Sequence, residues 1–327
     1  MADSEPFVSD NAVPASVPMA GLRGEGLLST ALAVIASMRP KQWTKNVLVF
    51  MALIFSLGET WHLSDPESWL PLVGKAAATF ALFCMVCGAD YLINDVRDRE
   101  SDQLHPKKRT RPIAAGRLSV RTALVAAVVL IALGLTGGFA LEWRVGAVIG
   151  GYVAIMLAYS YYLKHVVLLD LMIIAAGFVL RAMAGALVID VPISPWLYAV
   201  TALGALFLAI NKRRAEIVLL KEDANEHRPI LEEYTTPLLD QMASIVTAST
   251  LVAYGLYTFT APALPTNHSM MLTIPFVLYG IFRYLYLVHA RGEGGSPEDV
   301  LLKDAPLMVD ILLWVAVSGI LLAVARE

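Results

Sequence analysis

Charge is scarce in this sequence. Only 16% of its 327 residues are Asp, Glu, Lys or Arg, 57% are hydrophobic, and the mean hydropathy is +0.63. Ordinary soluble domains carry roughly a quarter charged residues. A water-soluble fold of this size could not hide so much apolar surface, so the solvent of most of the chain is lipid. A lipid bilayer is therefore a partner, and nucleic acid is not expected to be one.

Cysteine is nearly absent. Cys84 and Cys87 are the only two, in a C-x-x-C inside an apolar run, which excludes a disulfide framework. A redox dithiol reacts through a lowered pKa in a partly exposed site, so the pair reads as two small hydrophobes in a lipid-embedded helix. The N-terminus lacks the basic start and apolar core of a signal peptide. With Pro6, Pro14 and Pro18 and no apolar periodicity, residues 1–30 read as a disordered cytoplasmic tail, and 31–327 as the transmembrane domain.

Apolar runs suited to a bilayer core, which needs roughly 20 residues per helix, fall near 43–58, 71–94, 120–140, 145–163, 168–189, 195–211, 240–261, 271–289 and 306–324. The expectation is an all-α polytopic membrane protein with about nine transmembrane helices, the first span being short and charged at its start. Lys and Arg are missing from the loops near 59–70, 188–194 and 262–270, and the turn after the third span has only Arg144. They crowd the loop after the second span, from Arg97 to Arg121, and the loop after the sixth, where Lys212, Arg213, Arg214, Lys221 and Arg228 lie. By the positive-inside rule the basic loops and the N-terminus are cytoplasmic, in a cell membrane.

The strongest chemical signal is Asn94-Asp95-Val96-Arg97-Asp98-Arg99-Glu100-Ser101-Asp102, where the second span ends. Asn94, Asp98 and Asp102 are four apart, so on a continuing helix they share one face, bordered by Asp95. Oxygen ligands one turn apart suit Mg²⁺, which takes one or two carboxylates and completes its shell with water and substrate phosphates. A salt-bridged helix end is the bland alternative, because Arg97 and Arg99 are interleaved. Lys107, Lys108, Arg109 and Arg111 follow directly, and acids beside so many cations make sense if metal and cations share one polyanion.

The N-D-x-x-D-x-x-x-D string, followed by Arg111-Pro112-Ile113-Ala114-Ala115-Gly116, resembles the UbiA-type intramembrane prenyltransferase superfamily. The resemblance covers nearly all of the chain after residue 38. It implies nine helices around a cytoplasm-facing cavity, with Asn94, Asp95, Asp98 and Asp102 holding a diphosphate through Mg²⁺ and Asp98, Asp95 and Asp102 central to catalysis. Members that prenylate aromatic rings carry a second aspartate motif after the sixth helix. Here that place reads Asn211-Lys212-Arg213-Arg214-Ala215-Glu216. Cations bind phosphate directly rather than through metal, which points to a second phosphate group.

That pattern, with Arg39-Pro40-Lys41-Gln42-Trp43-Thr44-Lys45-Asn46, Tyr161-Tyr162-Leu163-Lys164 and the weaker Gly294-Gly295-Ser296-Pro297-Glu298-Asp299, resembles the branch that transfers 5-phosphoribose from phosphoribosyl pyrophosphate to a polyprenyl (decaprenyl) phosphate in cell-wall arabinan precursor synthesis. The resemblance implies phosphate and substrate contacts from Arg39, Lys45, Lys107, Arg111, Tyr161, Lys164, Arg181, Lys212 and Arg213. Arg39, Lys41, Lys45 and Lys164 would serve equally as snorkelling anchors, and Trp43 and Tyr161 as interfacial aromatics.

In the fifth span Asp170 and Arg181 share a face about 16 Å apart. An unpaired cation so deep is costly, so Arg181 either faces the cavity or pairs with a neighbouring helix. Gly177 and Gly185 flank it at helix-packing spacing. No His–carboxylate pair occurs in the cytoplasmic motifs, and an anionic acceptor needs no strong base. The rivals are an aromatic prenyltransferase and a secondary transporter; a transporter usually places its polar groups near the bilayer midplane on broken helices. A homo-oligomer is compatible with the sequence, which does not specify one.

Overall fold

The computed structural model describes residues 26–105, 108–192, 194–222, 229–261, 264–292 and 297–324. Residues 1–25 of the segment read as a tail, Lys107, and the Gly294–Ser296 part of the last motif lie outside them. Helix α1 spans Leu27–Ser37, so the last residues assigned to the tail, 27–30, are helical rather than disordered.

The first expected span is broken. Pro40–Phe50 form a 3₁₀ segment, and only Met51–Phe55 continue as a short helix α2. A proline at its start and the polar Lys41, Gln42, Lys45 and Asn46 leave too few apolar residues for a regular span. Its backbone lies hard against α7 (Leu169–Val188), where a Cβ on Gly185 would overlap the backbone of Val49. The glycine permits that approach.

Helix α3 (Pro66–Arg97) starts on an Asp65 cap and runs 32 residues, about 48 Å, so its last turns reach the membrane surface. The short α4 (Arg99–Leu104) follows. Ser119 and Glu142 cap α5 (Val120–Leu141) and α6 (Trp143–Tyr161). After α7 come α8 (Pro195–Glu222), α9 (Thr236–Thr260), α10 (Ile274–Ala290), α11 (Pro297–Lys303) and α12 (Ala305–Val324).

Among the described residues, seven helices are long and apolar enough to cross a membrane: α3, α5, α6, α7, α9, the run from Ser269 through α10, and α12. The two other expected positions hold the broken first segment and α8, which starts apolar but runs on through Lys212, Arg213 and Arg214. The protein is a multi-pass membrane protein.

Helices adjacent in sequence pack side by side from α5 to α10, and α3 packs on α5; α11 and α12 return to the 3₁₀ segment and α2, closing a ring. Phe83, Val86, Ile149 and Tyr152 fill one core cluster, and Leu171, Ile210 and Leu239 another. Val128, Leu133, Val252, Leu312 and Ile320 stand exposed on the outside, as lipid-facing residues do. At one end Arg144, the lone cation of its turn, bridges Glu142 and Asp190 at 2.8 and 2.9 Å. The acidic motif lies at the other.

Candidate active site

The acidic motif splits into two sets. Helix α3 stops at Arg97 and α4 restarts at Arg99, with Asp98 between them. The Asp102 N–H still lies on the Asp98 carbonyl at 2.8 Å, so the one-turn spacing runs on through this joint, but the Asp102 carboxylate does not stand free beside Asp98. Instead, Arg111 donates to both Asp102 (2.6 Å) and Asp95 (3.2 Å), and Arg39 donates to Asp95 and lies 4.6 Å over the Tyr91 ring. Asp95 and Asp102 are buried, so each needs those cations. Arg39 adopts a left-handed backbone, φ 53°, a conformation that survives only where its surroundings enforce it.

Asn94 and Asp98 form the second set. They remain one helical turn apart, with the Asp98 N–H on the Asn94 carbonyl at 2.9 Å. Asp98 is half-buried and meets Lys164 Nζ at 3.4 Å. Among the described residues no three His, Cys, Asp or Glu side chains surround a common point. Two oxygen ligands a turn apart, one of them accessible, fit a Mg²⁺ site that substrate phosphates complete, not a preformed cage.

The other expected site residues divide similarly. Lys164 stands at the same end, in the turn after α6. Tyr161 is half-exposed, its ring 5.0 Å from the Arg97 guanidinium. Lys45 is half-buried in the 3₁₀ segment, on which α11 packs. Lys212 is half-buried and forms no ion pair with a described residue.

Arg213 was expected to reach a phosphate; the structure engages it with acids. It donates to Asp170 at 2.9 Å and Glu216 at 2.7 Å. The Tyr234 hydroxyl donates to the other Asp170 oxygen at 2.7 Å and accepts from the Leu168 N–H at 2.8 Å. The network joins α7, α8 and the chain before α9. Asp170 thus pairs with Arg213 rather than with Arg181 on its own helix.

Arg181 points into protein, 7% exposed. It donates to Asn46 Oδ1 (2.7 Å), the Gly177 carbonyl (2.7 Å), the Tyr152 hydroxyl (3.0 Å) and Cys87 Sγ (3.1 Å). Faces of Tyr152, Phe178 and Phe83 lie 4.8, 5.4 and 5.9 Å from its guanidinium. Pairing with neighbouring elements is what occurs, through neutral acceptors. Cys87 is therefore more than the small hydrophobe it was read as; Cys84 likewise accepts from Asn46 at 3.2 Å.

Two residues of this region escaped the sequence reading. Asp90, one turn before Asn94, meets the Ser160 hydroxyl at 3.4 Å; the spacing Asp90-Asn94-Asp98 was the available signal. Tyr234 offered none, since its partner Asp170 is 64 residues away.

This helical ring with an acidic motif at one end has known counterparts. The UbiA prenyltransferase family matches residues 47–297. Decaprenyl-phosphate phosphoribosyltransferase of Mycolicibacterium smegmatis is 35% identical over 88% of this chain and 91% of its own. The protein of that name from Corynebacterium glutamicum is 37% identical over 86% and 84%. A UbiA homolog from Archaeoglobus fulgidus, solved bound to GPP and Mg²⁺, superposes with a TM-score of 0.66 over 89% of this chain and 99% of its own, at 18% identity. The chain belongs to the UbiA prenyltransferase family and is a transferase.

Proposed function

We propose that this protein transfers 5-phosphoribose from phosphoribosyl pyrophosphate to a polyprenyl phosphate, with decaprenyl phosphate, the acceptor in its relatives' names, as the substrate. The observation that carries the reading is the charge of the two motif ends. The α3 end keeps the accessible pair Asn94 and Asp98, whereas at the α8 end Arg213 and Arg214 are paired with Asp170, Glu216 and Asp240, and Lys212, without an ion pair among the described residues, stands where a second set of acids would be. One metal-bound diphosphate and one directly bound phosphate suit two phosphorylated substrates better than a prenyl diphosphate and an aromatic ring.

Asn94 and Asp98 would hold Mg²⁺, which supplies charge neutralisation on the departing diphosphate. Lys164 and Lys212 contribute positive charge to the phosphates. Arg39 and Arg111 keep Asp95 and Asp102 in place and turn their remaining donors to the substrate. Lys45 and Tyr161 border the same entrance. The acceptor phosphate is already anionic, so its oxygen attacks the anomeric carbon without a base, and pyrophosphate leaves. Catalysis then rests on positioning and on charge stabilisation. The site faces the cytoplasm, as the basic loops require.

Purified protein in nanodiscs, given radiolabelled phosphoribosyl pyrophosphate and decaprenyl phosphate, should form labelled lipid, and excess EDTA should stop it. Asp98→Ala should lower turnover by at least roughly a hundredfold while leaving the protein folded. Product only from a prenyl diphosphate with 4-hydroxybenzoate would make the enzyme an aromatic prenyltransferase instead.

A further inference from the structure

Asp90 is absent from the scheme above, yet it has a physical problem to solve. It lies about 6 Å deeper along α3 than Asn94 and on the same face. The donor substrate proposed for this site is a polyanion, so a carboxylate beside it repels nearly everything the substrate presents. Such a carboxylate is rewarded by a cation or by a neutral hydrogen-bond donor, an N–H or a hydroxyl.

The cations are otherwise engaged. Among the positive groups whose fields reach Asp90 are Arg181, Arg39 and Lys164. Their bonds go to Asn46, Gly177, Tyr152 and Cys87 for Arg181, to Asp95 for Arg39, and to Asp98 for Lys164. The accessible oxygens suited to a metal belong to Asn94 and Asp98, a turn nearer the surface. What Asp90 does meet is a hydroxyl, that of Ser160 at 3.4 Å, a long bond that leaves acceptor capacity unused. Beside it the packing of α3, α5 and α6 leaves a water-sized crevice of about 10 Å³, walled by apolar side chains such as Ile93, Ile131 and Met156, with Asp90 and Tyr152 as its polar members.

We infer that Asp90 accepts hydrogen bonds from the ribose hydroxyls of the donor substrate and thereby selects a pentosyl over a prenyl donor. The assignment rests on the phosphoribosyl reading of the site. The two ring hydroxyls are the donor substrate's neutral hydrogen-bond donors. The ribose is joined directly to the diphosphate, so once that group is fixed at Asn94 and Asp98 the ring lies within a helical turn of it. A prenyl chain would bring only C–H groups to the same carboxylate and leave it unpaired, which is costly.

The test uses the full chain in nanodiscs and compares kcat/KM for phosphoribosyl pyrophosphate with that for its 2-deoxy and 3-deoxy analogues, in the wild type, Asp90→Ala and Asp90→Asn. Deoxygenation changes the intrinsic reactivity of the sugar, but that factor cancels when ribo-to-deoxy ratios are compared between variants. The wild type should discriminate against one or both analogues by roughly ten- to a hundredfold. Asp90→Ala should lose a similar factor on the natural donor, bringing the ratio close to one. Asp90→Asn, isosteric and still an acceptor, should retain part of it. Should turnover by the variants be too slow, equilibrium binding of the same donors to Asp90→Asn gives the same ratio. A wild-type ratio preserved in both variants overturns the assignment, as does equal loss on ribo and deoxy donors, the mark of a merely structural residue. A wild-type enzyme inert toward phosphoribosyl pyrophosphate would instead overturn the phosphoribosyl reading itself.

Discussion

Arg181 on α7 and Arg213 on α8 are both buried arginines in a membrane protein, and their surroundings neutralise them in opposite ways. Arg213 is held by two carboxylates, Asp170 and Glu216. Arg181 is held by an amide, a carbonyl, a hydroxyl and a sulfur, and by three aromatic faces. Both have their donors satisfied. Only Arg213 has its charge cancelled. Arg213 is therefore a strut between helices, whereas Arg181 bonds no carboxylate among the described residues, its field reaching Asp90 without contact, below a motif suited to diphosphate. A buried cation kept without a bonded counter-ion is worth its desolvation where an anion is to arrive.

Removing each arginine tests that contrast, and the largest effect should come from Arg213. Its side chain is 4% exposed, and Asp170 is fully enclosed. Arg213→Met leaves a buried carboxylate without its cation, which costs about 3–5 kcal/mol, read as a lowered unfolding midpoint in detergent. Adding Asp170→Asn to Arg213→Met should recover most of that loss. If the double variant is no better than the single one, the charge pairing is not what Arg213 contributes.

Arg181→Met is expected to behave differently. It removes the only charge in its cluster and leaves behind neutral acceptors, so the loss of stability should be about 2 kcal/mol or less. The cost of the deleted charge appears instead in binding: affinity for phosphoribosyl pyrophosphate should fall by roughly tenfold or more, measured by titration calorimetry. Equal destabilisation by the two substitutions, with donor affinity unchanged in Arg181→Met, would erase the distinction.

How much of this was readable beforehand follows from the range of each interaction. The Asn94–Asp98 pair and its cations lie within one stretch of chain, and helical periodicity places them. The seven clear spans were readable because length and apolarity are local properties. The irregular helix of the first segment was not readable, because its close approach to Gly185 depends on a helix more than a hundred residues away. Arg213 was expected to contact phosphate because its sequence neighbours are cations; its partner Asp170 is 43 residues distant. Asp90 lay in an apolar run, where a single acid attracts less notice than a cluster. Asn46 is 135 residues from Arg181, and no spacing rule connects them.

Tyr234 gives the smallest and most specific check on the strut. Its hydroxyl donates to Asp170 and accepts from the N–H of Leu168, a residue with φ 68°. Tyr234→Phe should cost about 1 kcal/mol, less than either arginine substitution, because Arg213 still pairs with the carboxylate. The pH dependence separates this bond from ordinary packing. Burial, with the donation to Asp170, pushes the Tyr234 hydroxyl up to about 12, against about 10 in an unfolded chain. A raised pKa in the folded state means that the neutral form is stabilised there. Its contribution is complete below pH 10 and is lost as the pH rises through about 12. Wild-type stability should therefore fall more steeply than that of Tyr234→Phe across this window. Parallel curves for the two proteins would mean that the hydroxyl is not locked to Asp170, and the tie between α7, α8 and the chain before α9 would then rest on Arg213 alone.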